Sequence, residues 1–313
     1  MNLPSLFEWD KAISIVLYLI ILISIIISVS FYTLFERKVL GLRHIRIGPI
    51  VVRGYGLIQP FRDAIKLFIK FIIPPRKSNY YLYFITPVVA CFRSLRCWFI
   101  LPYYFGMSSV KYLILLFFIL TAVGVYAHLG AGWSSNSNYA LIGRLRSIAQ
   151  RISYEVRFAF LLIILIIWIS DFNLTSVKIL QIDVFLIFVT PLLRGCWLIS
   201  CLAETNRSPF DFAEGESELV SGFNVEYGGR GFALLFIGEY ARIIFISCLF
   251  SCLFLGGGVL QRWNVLITIF IMYFFVWVRV SLPRRRYDKL ISLFWFYMLP
   301  ITLILILIMI ILY

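Results

Sequence analysis

The run AISIVLYLIILISIIISVSFY, residues 12–32, carries no charged side chain. About 20 consecutive apolar residues are enough for a helix to cross the hydrocarbon core of a bilayer, and this run is that long. It is too long for a signal-peptide core, and no small-residue cleavage site follows it, so it reads as a first membrane span. No transit segment rich in Arg and Ser precedes it, which suits a protein inserted from inside its own compartment. Lipid offers backbone N–H and C=O groups no partner, so the span has to be an α-helix. The same yardstick places seven more spans, near 80–102, 112–131, 148–169, 182–202, 231–256, 265–280 and 290–312. The chain is 62% hydrophobic and 14% charged over its 313 residues, well outside the globular range. No stretch between the runs would hold a soluble domain. The expected fold is all-α: one integral membrane domain over 1–313, with about eight transmembrane helices and an amphipathic helix at the interface.

Lysine and arginine fall unevenly along this pattern. The connections after odd-numbered spans (33–79, 132–153, 204–230 and 279–289) hold twenty of them, whereas the N-terminus and the even connections hold four, Lys11, Lys111, Lys178 and Arg262. The odd connections should therefore face the side on which the protein is made, matrix or cytoplasm, with both termini opposite. The net charge of +14 reports this topology; no soluble basic domain exists to bind nucleic acid. The six cysteines lie within or beside apolar runs and form no CxxC pair, and His44 and His128 are far apart. That is not a metal or iron–sulfur ligand set, so the cysteines read as small buried hydrophobes and any redox cofactor as lying in a partner chain.

The first connection begins FERKVLGLRHIRIGP and places Glu36, Arg37 and Lys38 at the membrane boundary. Further on, Phe61, Ile65, Phe68 and Ile69 recur at helical spacing with Asp63, Lys66 and Lys70 on other faces. This predicts an amphipathic helix in the interface plane over about 55–73, ended by Pro74 and Pro75; its plainest role is a surface anchor. The third connection, GWSSNSNYALIGRLRSIAQRISYEV, opens on a Ser and Asn cluster that reads as a loop. It leads to Glu155 near the start of the fourth span, and Glu239 falls inside the sixth. An acid in lipid needs a partner or water, which makes both candidates for a proton relay as well as for simple pairing with a nearby Arg. The seventh connection, RVSLPRRRYDKL, is basic: a positive-inside signal first, and a possible source of counter-ions second.

The richest segment is AETNRSPFDFAEGESELVSGFNVEY, residues 203–227, within the acidic connection 203–230. It holds Glu204, Asp211, Glu214, Glu216, Glu218 and Glu226, six of the chain's fifteen acids. A solvated loop is the ordinary explanation of a charge run. Against it, Phe210, Phe212, Ala213, Leu219, Val220 and Phe223 recur among the acids, and no polar linker separates the segment from the next span. Acids this close to the membrane mark cavities or proton paths.

With these residues in hand, the chain resembles the family of quinone-site membrane subunits of respiratory complex I, NADH–ubiquinone oxidoreductase chain 1, in its mitochondrial, animal-like form. The resemblance runs through nearly the whole length. It rests on ERKVLG at 36–41, GLIQPFxDAIKLFIK at 56–70, AGWSSNSNYAL at 131–141, AQxISYEV at 149–156, the acidic segment at 203–227 and PRxRYDKL at 283–290. The resemblance implies a narrow quinone entrance framed by the first span, the surface helix and the sixth span. It implies a cavity at Glu36, Arg37, Asp63, Phe223 and Arg286, and a proton-coupling path through Glu155, Glu204, Asp211, Glu214, Glu216, Glu218, Glu226 and Glu239. It further implies ubiquinone as substrate, no cofactor bound by this chain, and FMN and iron–sulfur clusters in partner subunits of the membrane and peripheral arms. The location implied is the mitochondrial inner membrane. Two other classes are open to the residues alone: the equivalent subunit of a membrane-bound hydrogenase, which the complete ERK and GWSSNSNYAL motifs disfavour, and a stand-alone transporter, whose usual internal repeat is absent.

The chain departs from the family pattern at several arginines. Arg93, Arg96, Arg157, Arg194 and Arg242 lie inside expected spans, and Arg53, Arg62, Arg144, Arg151 and Arg230 elsewhere. A central Arg costs about 2.5–3.5 kcal/mol on insertion scales, and Arg93 and Arg96 have no acid nearby in sequence. Many animal mitochondria read AGA and AGG as serine and AUA as methionine. Five methionines beside abundant isoleucine fit a sequence written under the other code, so these positions are expected to carry serine.

Overall fold

The computed structural model describes residues 3–50, 54–102, 112–181, 185–212, 222–256 and 262–312. Among the described residues the chain is helical, without strands. Helix α1 (Leu3–Arg43) is followed by the surface helix α2 (Gln59–Ile69), then α3 (Tyr80–Cys97), α4 (Leu113–Ser135) and α5 (Asn138–Ile169). Short helices α6 (Leu174–Leu180) and α7 (Leu186–Val189) lead to α8 (Pro191–Glu204), and the bundle closes with α9 (Gly229–Phe254), α10 (Arg262–Ser281), α11 (Tyr287–Ser292) and α12 (Leu299–Leu312). A π-helical turn, Leu293–Met298, joins the last two into one rod.

Among the described residues seven helices are long and apolar enough to cross a membrane. The expected fifth span, 182–202, is not a continuous one. Residues 182–184 lie outside the described residues, α7 ends at Val189, and Pro191 restarts the chain as α8. Proline has no N–H to continue a ladder, and the 14 residues of α8 rise about 21 Å, short of a hydrocarbon core of about 30 Å. The third connection also differs from expectation. Helix α4 runs on to Ser135 and α5 starts at Asn138, so the loop shrinks to two residues. The serines fit within the helix because Ser134 and Ser135 return their hydroxyls to the carbonyls of Ala131 and Gly132. Asn136 then takes the left-handed conformation, φ 49°, that ends helices. The surface helix is shorter than 55–73 at both ends, because left-handed backbone at Gly54, Tyr55 and Gly56 precedes it and Lys70 is already extended.

Helix α9 is the hub. It packs against α1, α2, α3, α6 and α10 and is buried along most of its length. Around it Phe117, Phe158, Trp197, Phe245 and Phe254 form an aromatic core, with Phe158 and Trp197 ring centroids 4.3 Å apart. The outer helices keep apolar residues exposed, among them Ile15, Leu19 and Ile23 at one-turn spacing on α1. A helix apolar all round faces both core and lipid.

The connections sort onto two faces. Asn79 N–H donates to Ser134 O at 3.0 Å, Arg230 Nε to Phe68 O at 3.0 Å, and Arg285 N–H to Pro209 O at 3.1 Å. These bonds join all four odd connections. The even ones meet elsewhere: Ile114 N–H donates to Phe172 O at 3.3 Å, and Gln181 donates to Leu253 O. The face rich in lysine and arginine is thus a single physical face.

Candidate functional site

Two charged clusters sit beside one another between the helices. In the first, Glu36 on α1 is almost fully buried. Its Oε1 pairs with Arg207 Nη1 at 3.3 Å and with Arg279 on α10, while the Tyr240 hydroxyl on α9 donates to Oε2 at 2.5 Å. The Arg207 guanidinium also lies over the Tyr240 ring, 4.6 Å from its centroid. One carboxylate therefore ties together two spans, the hub and the start of the acidic connection. Thr205, Tyr32, Ile243, Phe275 and Val276 complete the walls of a small cavity there.

Arg37, the next residue, points the other way. Its Nη1 meets Asp63 Oδ2 at 2.7 Å, and Gln59 Nε2 donates to Asp63 Oδ1 at 3.0 Å. This half-exposed pair locks α1 to α2. Arg286 is in neither group: it lines an open, basic depression of about 600 Å³ with Arg284, Arg285 and Lys289. Phe223 is in neither group: it lies in the short 3-10 turn Gly222–Asn224, which packs on α4 and α5.

The second cluster is centred on Glu204, the last residue of α8 and 4% exposed. Arg242 Nε on α9 meets its Oε1 at 3.3 Å. Half-buried Glu155 on α5 lies within electrostatic reach of Glu204, Arg151 and Arg242. Half-buried Glu239 shares a small pocket with Arg93, His128 and Arg242. Gln150, fully buried on α5, donates its side-chain amide to Ala203 O at 3.1 Å and Phe210 O at 2.9 Å. That brace fixes the start of the acidic connection against α5. Phe210 and Phe212 are buried and Asp211 half-buried between them, so this part is not a solvated loop. Glu214, Glu216 and Glu218 lie outside the described residues.

Where the chain re-enters α9, Tyr227 acts as a latch. Its hydroxyl is shared with Ser134 Oγ at 2.8 Å and Thr86 Oγ1 at 3.0 Å, and its ring stacks on Tyr83 at 4.5 Å. Burial pushes the Tyr227 phenol above its ordinary value, so it stays protonated. Tyr83 in turn donates to the carbonyl of half-buried Glu226 at 2.8 Å. The seventh connection docks on the other end: Arg284 lies over the Phe212 ring and Arg285 binds Pro209 O.

Sequence reasoning did not single out Arg207, Arg279, Tyr240, Gln150 or Tyr227. Arg207 and Tyr227 lie in the acidic segment and Gln150 in AQxISYEV, yet Arg207 pairs across 171 residues and Arg279 across 243. The six cysteines are buried and, among the described residues, form no disulfide. Arg242, inside the sixth expected span, forms its ion pair with Glu204.

A family model described as NADH dehydrogenase matches residues 16–310. Among curated proteins, the chain is 49% identical over 295 residues to NADH-ubiquinone oxidoreductase chain 1 of Anopheles gambiae, covering 94% of each. To the protein of that name from Locusta migratoria it is 50% identical over 296 residues, again 94% of each. To that of Salmo salar it is 44% identical over 293 residues, 91% of this chain and 90% of the relative.

Proposed function

The chain belongs to the NADH dehydrogenase family as a chain 1-type membrane subunit of NADH–ubiquinone oxidoreductase, and on that premise we propose that it forms the quinone entrance and cavity and the start of a proton-coupling path. It works with other membrane and peripheral-arm subunits of complex I in the mitochondrial inner membrane. Ubiquinone is the substrate; FMN and iron–sulfur clusters belong to partner subunits, and this chain binds no cofactor of its own.

One observation carries the reading: the two clusters are joined by one short segment, 204–207. Arg207 pairs with Glu36, and buried Glu204, the centre of the second cluster, lies three residues earlier on the same segment. A shift of the segment 204–207 that disturbs Glu36 must therefore disturb Glu204. The proposed entrance is supported by packing of its three elements on one another: Arg37 with Asp63 joins α1 to α2, Arg230 with Phe68 O joins α2 to α9, and Tyr240 with Glu36 joins α9 to α1.

In the proposed mechanism, quinone reduction on the Glu36 side adds negative charge and then draws protons. Arg207 and Arg279 are the cations that respond, because they already hold Glu36. If Arg207 is drawn away, the segment it anchors moves at Glu204. Glu155 lies within electrostatic reach of Glu204, so the change passes from Glu204 to Glu155 and on toward Glu239 and neighbouring subunits. The test is Glu204→Gln in the assembled enzyme, with the chain first located by mass spectrometry in the native-gel band that stains for NADH dehydrogenase. Coupled turnover in proteoliposomes should fall at least tenfold. Full proton pumping together with a full quinone reductase rate in that variant would remove Glu204 from the path, and absence of the chain from the stained band would remove the whole reading.

A further inference from the structure

Two kinds of arginine contrast in this structure. Arg37, Arg207 and Arg279 each hold a carboxylate in a clasp between elements. Among the described residues Arg93, Arg151 and Arg157 hold none, although all three are nearly or fully buried.

Arg157 on α5 has its guanidinium 3.5 Å from the Phe294 ring centroid, gives Nε a long bond to Ser153 O at 3.4 Å, and leaves Nη2 buried without a hydrogen-bond partner. Arg151 reaches His128 Nε2 at 2.6 Å and leaves Nε and Nη1 buried and unpaired. Arg93 has Nε in the same condition. Arg93 and Arg151 moreover converge on one point, since both guanidinium groups press on the hydrogen face of Gly124 in α4. Arg242 is paired with Glu204, yet it too buries Nη2 without a partner. A guanidinium carries five N–H donors and cannot shed its charge in a protein, so an interior that leaves these nitrogens unmet is not built for arginine.

It is built for serine. The serines of the same helices turn back to a carbonyl three or four residues earlier. Ser94 donates to Cys91 O at 2.7 Å, Ser153 to Ala149 O at 2.7 Å, Ser247 to Ile244 O at 2.6 Å and Ser251 to Cys248 O at 2.7 Å. A serine at 93, 151, 157 or 242 has the corresponding carbonyl within its own helix and requires nothing from its neighbours. We propose that positions 93, 151, 157 and 242 carry serine in the protein as its own compartment makes it, and that the pocket around Glu204, Glu155 and Glu239 is lined by hydroxyls and holds water.

Removing three guanidinium groups beside Glu204 and His128 vacates volume that is polar on its walls, and polar cavities of that kind fill with hydrogen-bonded water. The same change strips Glu204 of its ion pair. The acid then depends on hydroxyls and water, which exchange protons, in place of a fixed cation, which does not. The transport role of this water-lined pocket rests on the coupling function proposed above; the identity of the four residues does not.

The experiment is peptide sequencing by mass spectrometry of the chain taken from native membranes, digested in parallel with trypsin and chymotrypsin. Serine is expected at 93, 151, 157 and 242, and trypsin should leave the chain uncut from Ser147 through position 157. Arginine at 93, 151 or 157, or tryptic cleavage after any of them, overturns the proposal. Arginine at 242 alone overturns the loss of the Glu204 ion pair. The result is read on the polypeptide itself, so it stands apart from whether the chain migrates with NADH dehydrogenase activity.

Discussion

Glu36 and Asp63 were both expected at a quinone cavity, and the structure gives them different physical standing. Glu36 is buried against two arginines and a phenol, whereas Asp63 shares a pair whose partners are 36% and 51% exposed. Breaking a buried ion pair by removing one partner costs about 3–5 kcal/mol, because the other charge is left uncompensated. A surface pair contributes about 0–1 kcal/mol. Glu36→Gln should therefore lower the temperature at which the assembled enzyme loses this chain on native gels, and Asp63→Asn should leave that temperature nearly unchanged. Equal losses would show that the Glu36 clasp holds no more than the exposed pair does. The acids themselves were legible in the sequence, since carboxylates beside apolar runs are conspicuous. Their partners were not: Tyr240 lies 204 residues from Glu36 and Arg279 lies 243, and no local pattern announces a contact at that range.

At the scale of the element, backbone conformation decides what side-chain pattern could not. The amphipathic period of α2 was readable, but its start is set by three successive left-handed residues, Gly54, Tyr55 and Gly56. These two glycines make a controlled comparison. At Gly54, φ 72°, an added Cβ meets nothing, while at Gly56, φ 85°, it would run into the carbonyl oxygen of Pro49. Gly54→Ala should cost about 1–2 kcal/mol, the penalty of an L-residue in that region. Gly56→Ala adds a backbone collision and should undock α2, seen as faster amide hydrogen exchange over Gln59–Ile69; equal exchange in the two variants would mean that the turn yields without moving the helix. Similar reasons explain the other two differences. Ser134 and Ser135 look like loop residues until their hydroxyls are satisfied inside α4. The fifth apolar run looks continuous until Pro191 divides it into α7 and α8.

At the scale of the whole molecule, the charge bias and the fold agree on two faces. The twenty cations of the odd connections were counted from the sequence alone. Hydrogen bonds from Asn79, Arg230 and Arg285 join those connections into one surface, and bonds from Ile114 and Gln181 join the even ones into another. That agreement was attainable because the positive-inside rule acts during insertion on short connections, before any tertiary contact exists. The fine structure of the surface was not attainable, because the packing of the seventh connection on Pro209 and Phe212 depends on how the helices pack afterwards. Sidedness makes a direct prediction. An amine reagent that cannot cross the membrane should label Lys66, Lys70, Lys77 and Lys289 in inside-out vesicles and leave them unlabelled in sealed mitoplasts, whereas Lys111 and Lys178 should show the reverse. Lysines that partner subunits cover stay unlabelled in both preparations, so the two lists are compared only for residues that react in at least one. Because the helices alternate in direction, moving one connection to the other face would reverse every helix after it. A single lysine of the first group labelled only from outside would therefore overturn the assigned topology, and with it the proposed placement of Glu36 and Glu204 on the proton-uptake side.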